Sequence, residues 1–180
     1  MAGLCLGACD EGLIEKRGGH QRSFSMIYIG VDPGTTGAVA IIDHGVVTVS
    51  DFEDMSALVD LMVKFHNMGE DTPSSIATVE KVHSMPKQGV STTFKFGKNT
   101  GRVIGWLEAL GIPYEEVTPT KWQKVVFDSG TKTGDNKADS LNMARKLFPS
   151  MLDGLKRKKD HNRADALLIA EYCRRTHNGD

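Results

Sequence analysis

From Met26 onward the chain carries three short apolar runs set apart by turn residues: Met26–Val31, Ala38–Ile42 and Val46–Val49. The first ends in Asp32-Pro33-Gly34 and reads as a buried strand running into a turn. The second and third, joined through Asp43-His44-Gly45, read as two strands of a hairpin. The pattern then alternates. An amphipathic helix is expected from Asp54 to about Asn67, with Leu58, Leu61, Met62 and Phe65 on one stripe. A fourth strand is expected at Ile76–Val79, ending in Glu80. After a long loop over 81–92, a helix should run from about Thr93 to Leu110, stopped by Gly111 and Pro113. A fifth strand follows at Tyr114–Val117. Helices are expected at Pro119–Val126, Asp135–Leu147 and His161 to about Arg174. Three antiparallel strands followed by alternating helix and strand make a mixed five-stranded α/β sheet flanked by helices.

A chain of 180 residues suits one domain, placed here at 26–176, and can bury roughly 70% of its unfolded surface without disulfides or a structural metal. Residues 1–25 are Gly-rich, lack apolar periodicity and read as a disordered extension; 177–180 read as a tail. Ala2–Ala8 is short for a signal-peptide core and runs into Asp10-Glu11, and the segment is too acidic for a transit peptide. No apolar run approaches the ~20 residues that span a bilayer. The three cysteines, Cys5, Cys9 and Cys173, make no disulfide framework and no zinc site. An intracellular, reducing compartment is the expectation.

The net charge is −1, which argues against a nucleic-acid binder, but the charges are segregated. Asp43–Asp71 is acidic. Between Lys81 and Leu107 stand Lys81, Lys87, Lys95, Lys98 and Arg102 with no acid, and 155–163 adds Lys156, Arg157, Lys158, Lys159 and Arg163 against Asp160. A polyanion responds to such a face even on a neutral molecule. Plainly solvated lysines fit the same charges.

Two strands end in an acid, Asp32 and Glu80, and a third acid, Asp165, lies among the apolar Ala164, Ala166, Leu167, Leu168 and Ile169. Burying an acid there is costly without a compensating cation. Three acids at converging strand ends and a helix face suit Mg2+ or Mn2+, and two such ions ~4 Å apart can hold the attacking and leaving oxygens of a phosphodiester.

The stretch from Met26 to about Arg175 resembles the RuvC-type Holliday junction resolvases, in the form found in bacteriophages and plastids. The marks are Ile29-Gly-Val-Asp-Pro-Gly-Thr-Thr-Gly-Ala38, Val79-Glu-Lys-Val-His-Ser-Met-Pro-Lys-Gln-Gly89, Thr93-Phe-Lys-Phe-Gly97, Val117-Thr-Pro-Thr-Lys-Trp122 and Lys158-Lys-Asp-His-Asn-Arg-Ala-Asp-Ala-Leu167, in the family's order. The resemblance implies an RNase H-like fold and a Mg2+- or Mn2+-dependent endonuclease with two ions per site. It also implies a homodimer making paired nicks across a four-way or branched DNA junction, leaving 5′-phosphates and 3′-hydroxyls, with no nucleotide cofactor and no membrane partner. A phage-encoded enzyme would work in the host cytoplasm; an organelle is the alternative.

By the same resemblance Asp32, Glu80 and Asp165 match the family's metal-binding acids, and Lys124 and Lys137 its lysines near the chemistry. The family's fourth ligand falls on Asn162, so the position passes to Asp160 or His161. His161 fits if the last helix includes it, being four residues from Asp165 and on the same face; Asp160 fits if it caps the helix. Candidate DNA contacts are Lys81, His83, Met85, Lys87 and Gln88 in the junction-facing loop, with Lys95, Lys98, Arg102 and Lys132. Phe94, Phe96, Trp106 and Trp122 look more like core than a stacking platform. His20, His44, His66 and His177 show no ligand spacing.

Three other readings compete. Asp32-Pro-Gly-Thr-Thr-Gly37 also resembles the phosphate loop of the actin-like ATPases, but the second domain and adenosine loop they need are not in this sequence. An RNA-processing nuclease lacks the 80–97 motif. A junction-binding module with a dead site would not need all three acids. Within the helix at 93–110, Gly97, Gly101 and Gly105 form one ridge, which predicts another backbone close by, either the chain's own sheet or a second subunit.

Overall fold

The computed structural model describes residues 26–34, 36–52, 54, 59–60, 63–64, 74–81, 89–128, 130 and 132–178. The expected extension at 1–25, most of the expected 54–67 helix and loop residues 82–88 lie outside the described residues.

Five strands form one sheet: β1 (Ile27–Asp32), β2 (Ala38–Asp43), β3 (Val46–Asp51), β4 (Ser75–Glu80) and β5 (Tyr114–Val117). Their spatial order is β3-β2-β1-β4-β5, with β2 antiparallel to both β1 and β3, β4 parallel to β1, and β5 parallel to β4. The helices are α1 (Val90–Ala109), α2 (Pro119–Val126), α3 (Asn136–Leu147) and α4 (His161–His177). Two short 3-10 segments, Pro149–Leu155 and Lys158–Asp160, were not expected from the sequence. Neither has an apolar period; side chains organise them, through Arg145 donating to the Leu155 carbonyl and Arg157 clasping Asp160.

The two faces of β1 explain the layering. Ile27, Ile29 and Val31 point to one side, into a core with Val39, Ile41, Ala77, Val79, Val103, Leu107 and Ile112. Alternation sends Tyr28, Gly30 and Asp32 to the other side, which α4, α3 and α2 cover. That side is closely packed at one point. A Cβ on Gly30 would lie 2.1 Å from the Ala170 nitrogen and 2.3 Å from the Ala166 carbonyl oxygen, both backbone atoms of α4. The helix therefore rides directly on the strand.

The glycine ridge of α1 behaves differently. The helix buries Asn99, Val103 and Leu107, and a Cβ on Gly97, Gly101 or Gly105 would meet nothing within 4 Å among the described residues. The chain's own sheet is not the backbone these glycines accommodate.

Gly30→Ala should cost about 3 kcal/mol from overpacking, lowering the thermal midpoint by about 10 °C for a domain of this size. Circular dichroism melting checks this; a midpoint within 2 °C of wild type would mean that α4 does not sit on β1 as described.

Candidate active site

Strand register brings two of the acids together. β1 and β4 run parallel with Gly30 opposite Thr78 and Val31 opposite Val79, so the next pair is Asp32 and Glu80, at the same end of the sheet. Alternation puts both on the face that α4 covers. Since α4 lies on Gly30 through Ala166 and Ala170, Asp165 comes down beside the same rim. Asp32 is 7% exposed, while Glu80 and Asp165 are half-buried.

The three carboxylates are electrostatically one cluster. Burial pushes Asp32 up to about 8, with the charges of Asp165 and Glu80 adding to it and the Gly34 N–H, 3.1 Å from Oδ1, opposing it. Burial also raises Asp165 to about 7; Glu80 adds to that, while a Ser140 hydrogen bond and the Lys137 charge oppose it. Glu80 is raised by burial, against a hydrogen bond from the Trp122 indole, whose Nε1 lies 2.9 Å from Oε1. Among the described residues no lysine or arginine forms an ion pair with any of the three.

An all-oxygen donor set that repels itself and lacks an ion-paired cation is what a hard divalent cation complements. In chemistry the residues fit such an ion. Among the described residues no group of three or more His, Cys, Asp or Glu side chains is arranged so that it could hold a metal ion, so the acids match the ion in donor chemistry and not in a preformed ligand geometry.

Asp160 and His161 are distinguished by their partners. Asp160 is buried and accepts from the Arg157 backbone N–H at 2.7 Å and from its guanidinium at 2.9 Å. Burial pushes its pKa up, but these bonds and the Arg157 charge outweigh it and hold the carboxyl below the usual range. Asp160 thus closes the turn before α4. His161 begins α4, and its Nδ1 lies 3.1 Å from the Lys158 carbonyl oxygen. A carbonyl only accepts, so this contact selects the tautomer with the proton on Nδ1, which in a neutral ring leaves the Nε2 lone pair unused. Asn162 turns elsewhere, donating at 2.7 Å to both the carbonyl and the hydroxyl of Thr36.

The loop after β1 is held from both sides. Opposite Asn162, the Asn99 amide of α1 donates to the Gly34 carbonyl at 2.9 Å. A Cβ on Gly37 would lie 2.1 Å from the Asp32 carbonyl oxygen, so the turn admits only glycine there.

Lys137, at the start of α3, lies close enough to lower the Asp165 value. Lys124 is exposed on α2, and Lys132 donates to Gln123 at 2.6 Å and sits over the Phe127 ring. Lys81, Lys95, Lys98 and Arg102 are exposed, with Arg102 stacked on Trp106. His83, Met85, Lys87 and Gln88 lie outside the described residues. The basic segment 155–163 is mostly neutralised: Lys156 pairs with Asp153, Arg157 with Asp160, Lys158 with Asp135 and Arg163 with Asp51. Phe94, expected in the core, is 75% exposed. Trp122 is core, as expected, but also bonds Glu80. Trp122, Ser140 and Asn99 are site residues to which the sequence reading gave no role there, and Trp122 alone of the three lay in a motif that pointed to the site; Asn162 was noted only as the position where the family's fourth ligand is replaced.

No family model matches the chain. A Holliday junction resolvase from Chlamydomonas reinhardtii, the chloroplastic MOC1, is 33% identical over 106 residues, which is 58% of this chain and 12% of that protein. The chain thus spans about an eighth of its curated relative. A Thermus thermophilus RuvC structure in complex with a Holliday junction substrate superposes with a TM-score of 0.51 at 18% identity, covering 85% of this chain and 97% of that one. The chain has the RuvC fold. A second Thermus thermophilus RuvC structure matches at TM-score 0.48, with 19% identity over 82% of this chain and 92% of that one. The strand order and the first superposition bear out the expected RNase H-like mixed sheet flanked by helices, and the three acids stand on its β1, β4 and α4. No described helix is long and apolar enough to cross a membrane.

Asp32 and Asp165 are held above the ordinary 3.8, so between about pH 4 and pH 8 the folded protein binds protons more tightly than the unfolded chain. Their contribution to stability is therefore lost as pH rises through that window. In EDTA, Asp32→Asn should raise the melting midpoint by several degrees at pH 8 and hardly at all near pH 4. An equal gain at both pH values would contradict the cluster's electrostatics.

Proposed function

We propose that the protein is a structure-selective endonuclease that resolves four-way or branched DNA junctions by metal-dependent phosphodiester hydrolysis. The supporting observation is the buried, mutually repelling cluster of Asp32, Glu80 and Asp165 at one rim of a RuvC-fold sheet. Similarity to a chloroplastic junction resolvase adds the substrate class.

In this reading Asp32, Glu80 and Asp165, with the Nε2 of His161, hold two Mg2+ or Mn2+ ions. When bound, the ions supply the positive charge that neutralises the scissile phosphodiester and favours a hydroxide nucleophile. Lys137, beside Asp165, and Lys124 stabilise the negative charge that grows on the phosphoryl oxygens. The 3′-oxygen leaves as the P–O bond breaks, giving a 3′-hydroxyl and a 5′-phosphate. Lys81, Lys95, Lys98, Arg102 and Lys132, with His83, Met85, Lys87 and Gln88, bind the junction arms. The sources of the metal-bound state and of DNA affinity are thus different residues. Asp32→Asn should abolish cleavage of a synthetic four-way junction in Mg2+ while preserving low-salt binding in EDTA. A mutant that cuts at near wild-type rate, or a wild type that binds without cutting, would defeat the reading.

The proposed assembly is a homodimer through α1. Val90 and Phe94 are 87% and 75% exposed, and with Gly97, Gly101 and Ile104 they follow a four-three spacing, which makes one apolar stripe on the solvent side. A two-fold contact there would let two backbones approach at the glycines and would set two sites on one symmetric junction. Gly101 has open space about it, so Gly101→Leu should fold and should sediment as a monomer that has lost paired nicking. A wild type that is monomeric both free and on junction DNA would overturn the assembly.

A further inference from the structure

Trp122 is a large side chain of the core whose polar atom is aimed at the acid cluster. It is 1% exposed, and its Nε1 lies 2.9 Å from Glu80 Oε1. An indole N–H donates and never accepts, so a buried tryptophan must find an acceptor. The carboxylate it finds makes the bond charge-assisted, stronger and more directional than a bond to a neutral oxygen. We propose that Trp122 is a positioning residue, fixing the Glu80 carboxylate in the orientation in which its other oxygen, Oε2, takes a divalent cation. This rests on the reading of Glu80 as a metal-binding acid.

The backbone explains why the donor cannot drift. Glu80 is in register with Val117 at the end of β5, and the Lys81 N–H closes onto the Val117 carbonyl at 2.7 Å. Two residues later, Pro119 opens α2 with its φ already set for a helix. One turn into α2, Trp122 is carried to the buried side, where Phe127 packs on its ring with centroids 6.2 Å apart. The strand end supplies the acid, and the helix that follows the neighbouring strand end supplies its clamp. Exchange of the ring by rotation would leave both the indole N–H and Glu80 without this partner, in a site with little water to replace it. Outer groups that orient metal ligands in this way characteristically change metal affinity or activity when removed.

The test uses the full chain without DNA and Mn2+ as the probe, with free Mn2+ followed by electron paramagnetic resonance. Trp122→Phe keeps an aromatic ring and deletes the N–H. It should weaken Mn2+ binding about 10- to 100-fold and raise the metal concentration needed for half-maximal cleavage by a similar factor, with junction binding in EDTA unchanged. In a Glu80→Gln background the same substitution should have almost no further effect on Mn2+ binding, because the oxygen it positions has already lost its ligating charge. Glu80→Gln that leaves Mn2+ binding intact would overturn the ligand reading itself. Glu80→Gln that weakens it, combined with Trp122→Phe that is silent or equally damaging in both backgrounds, would overturn only the positioning role. The wild-type fold also carries the test, should Trp122→Phe not fold. The sequence has two tryptophans, so its two indole N–H resonances can be assigned with Trp106→Phe. The Trp122 signal should shift in Glu80→Gln and on Mg2+ addition, and should stay in place in Lys156→Ala. A signal indifferent to Glu80→Gln would sink the proposal.

Discussion

The contact between Gly30 and α4 sets the geometry of the candidate site. A helix ordinarily stands off a sheet by the thickness of its side chains. Here the strand residue has none, and the Ala166 and Ala170 backbone comes within van der Waals reach of the β1 backbone. Gly30 is two residues before Asp32 on the same face, and Ala166 is the residue after Asp165. The close approach of the two backbones therefore dictates the close approach of the two carboxylates. Any side chain at position 30 would lift the helix and separate them.

That closeness is unfavourable in the absence of a cation, and the surrounding structure counters it with hydrogen bonds more than with ion pairs. Gly34 N–H serves Asp32, Trp122 serves Glu80 and Ser140 serves Asp165. Each donor comes from a different element: the loop after β1, α2 and α3. The β1 loop is pinned in turn by Asn99 and Asn162. Neutral donors suit the purpose. An arginine salt-bridged to these acids would compete with a metal ion for their charge, whereas an N–H or hydroxyl orients an oxygen and leaves its negative charge available.

The architecture was largely legible in the sequence because its signals are local. β5 and α2 match their expected bounds, and α3 begins one residue late because Asp135 caps it, accepting from the Lys137 and Ala138 N–H groups. The acids stood out because Asp32 and Glu80 stand where an apolar run stops and Asp165 interrupts one. What escaped depends on pairs far apart in the chain. Trp122 reads as core by its neighbours, and it is core; its bond to Glu80, 42 residues away, has no local signature. Ser140 and Asn99 likewise look like ordinary helix residues until the fold brings their partners near, and the bond from Asn162 to Thr36, 126 residues away, has no local signature either. Phe94 was misread for a related reason: aromatic residues at helical spacing mark an apolar face, but not what covers it.

The basic residues divide by the same physics. Between 156 and 163, acids of the chain itself hold four of the five cations: Asp153 is three residues from Lys156, Asp160 is three from Arg157, and Asp135 and Asp51 approach from other elements. Arg163 shows how far this goes, gripping Asp51 at the end of β3 with two nitrogens at 2.5 and 2.7 Å. That fork fixes the start of α4 to the sheet, next to His161 and one turn ahead of Ala166. A phosphate drawing Arg163 away would have to break a bidentate pair at the hinge of the site, so this segment serves to seat α4. Lys95 and Lys98, on an exposed helix face without such partners among the described residues, keep their charge for solvent or a polyanion. A cluster of lysines and arginines in a sequence thus has two opposite meanings, and the placement of the acids around it decides which one applies.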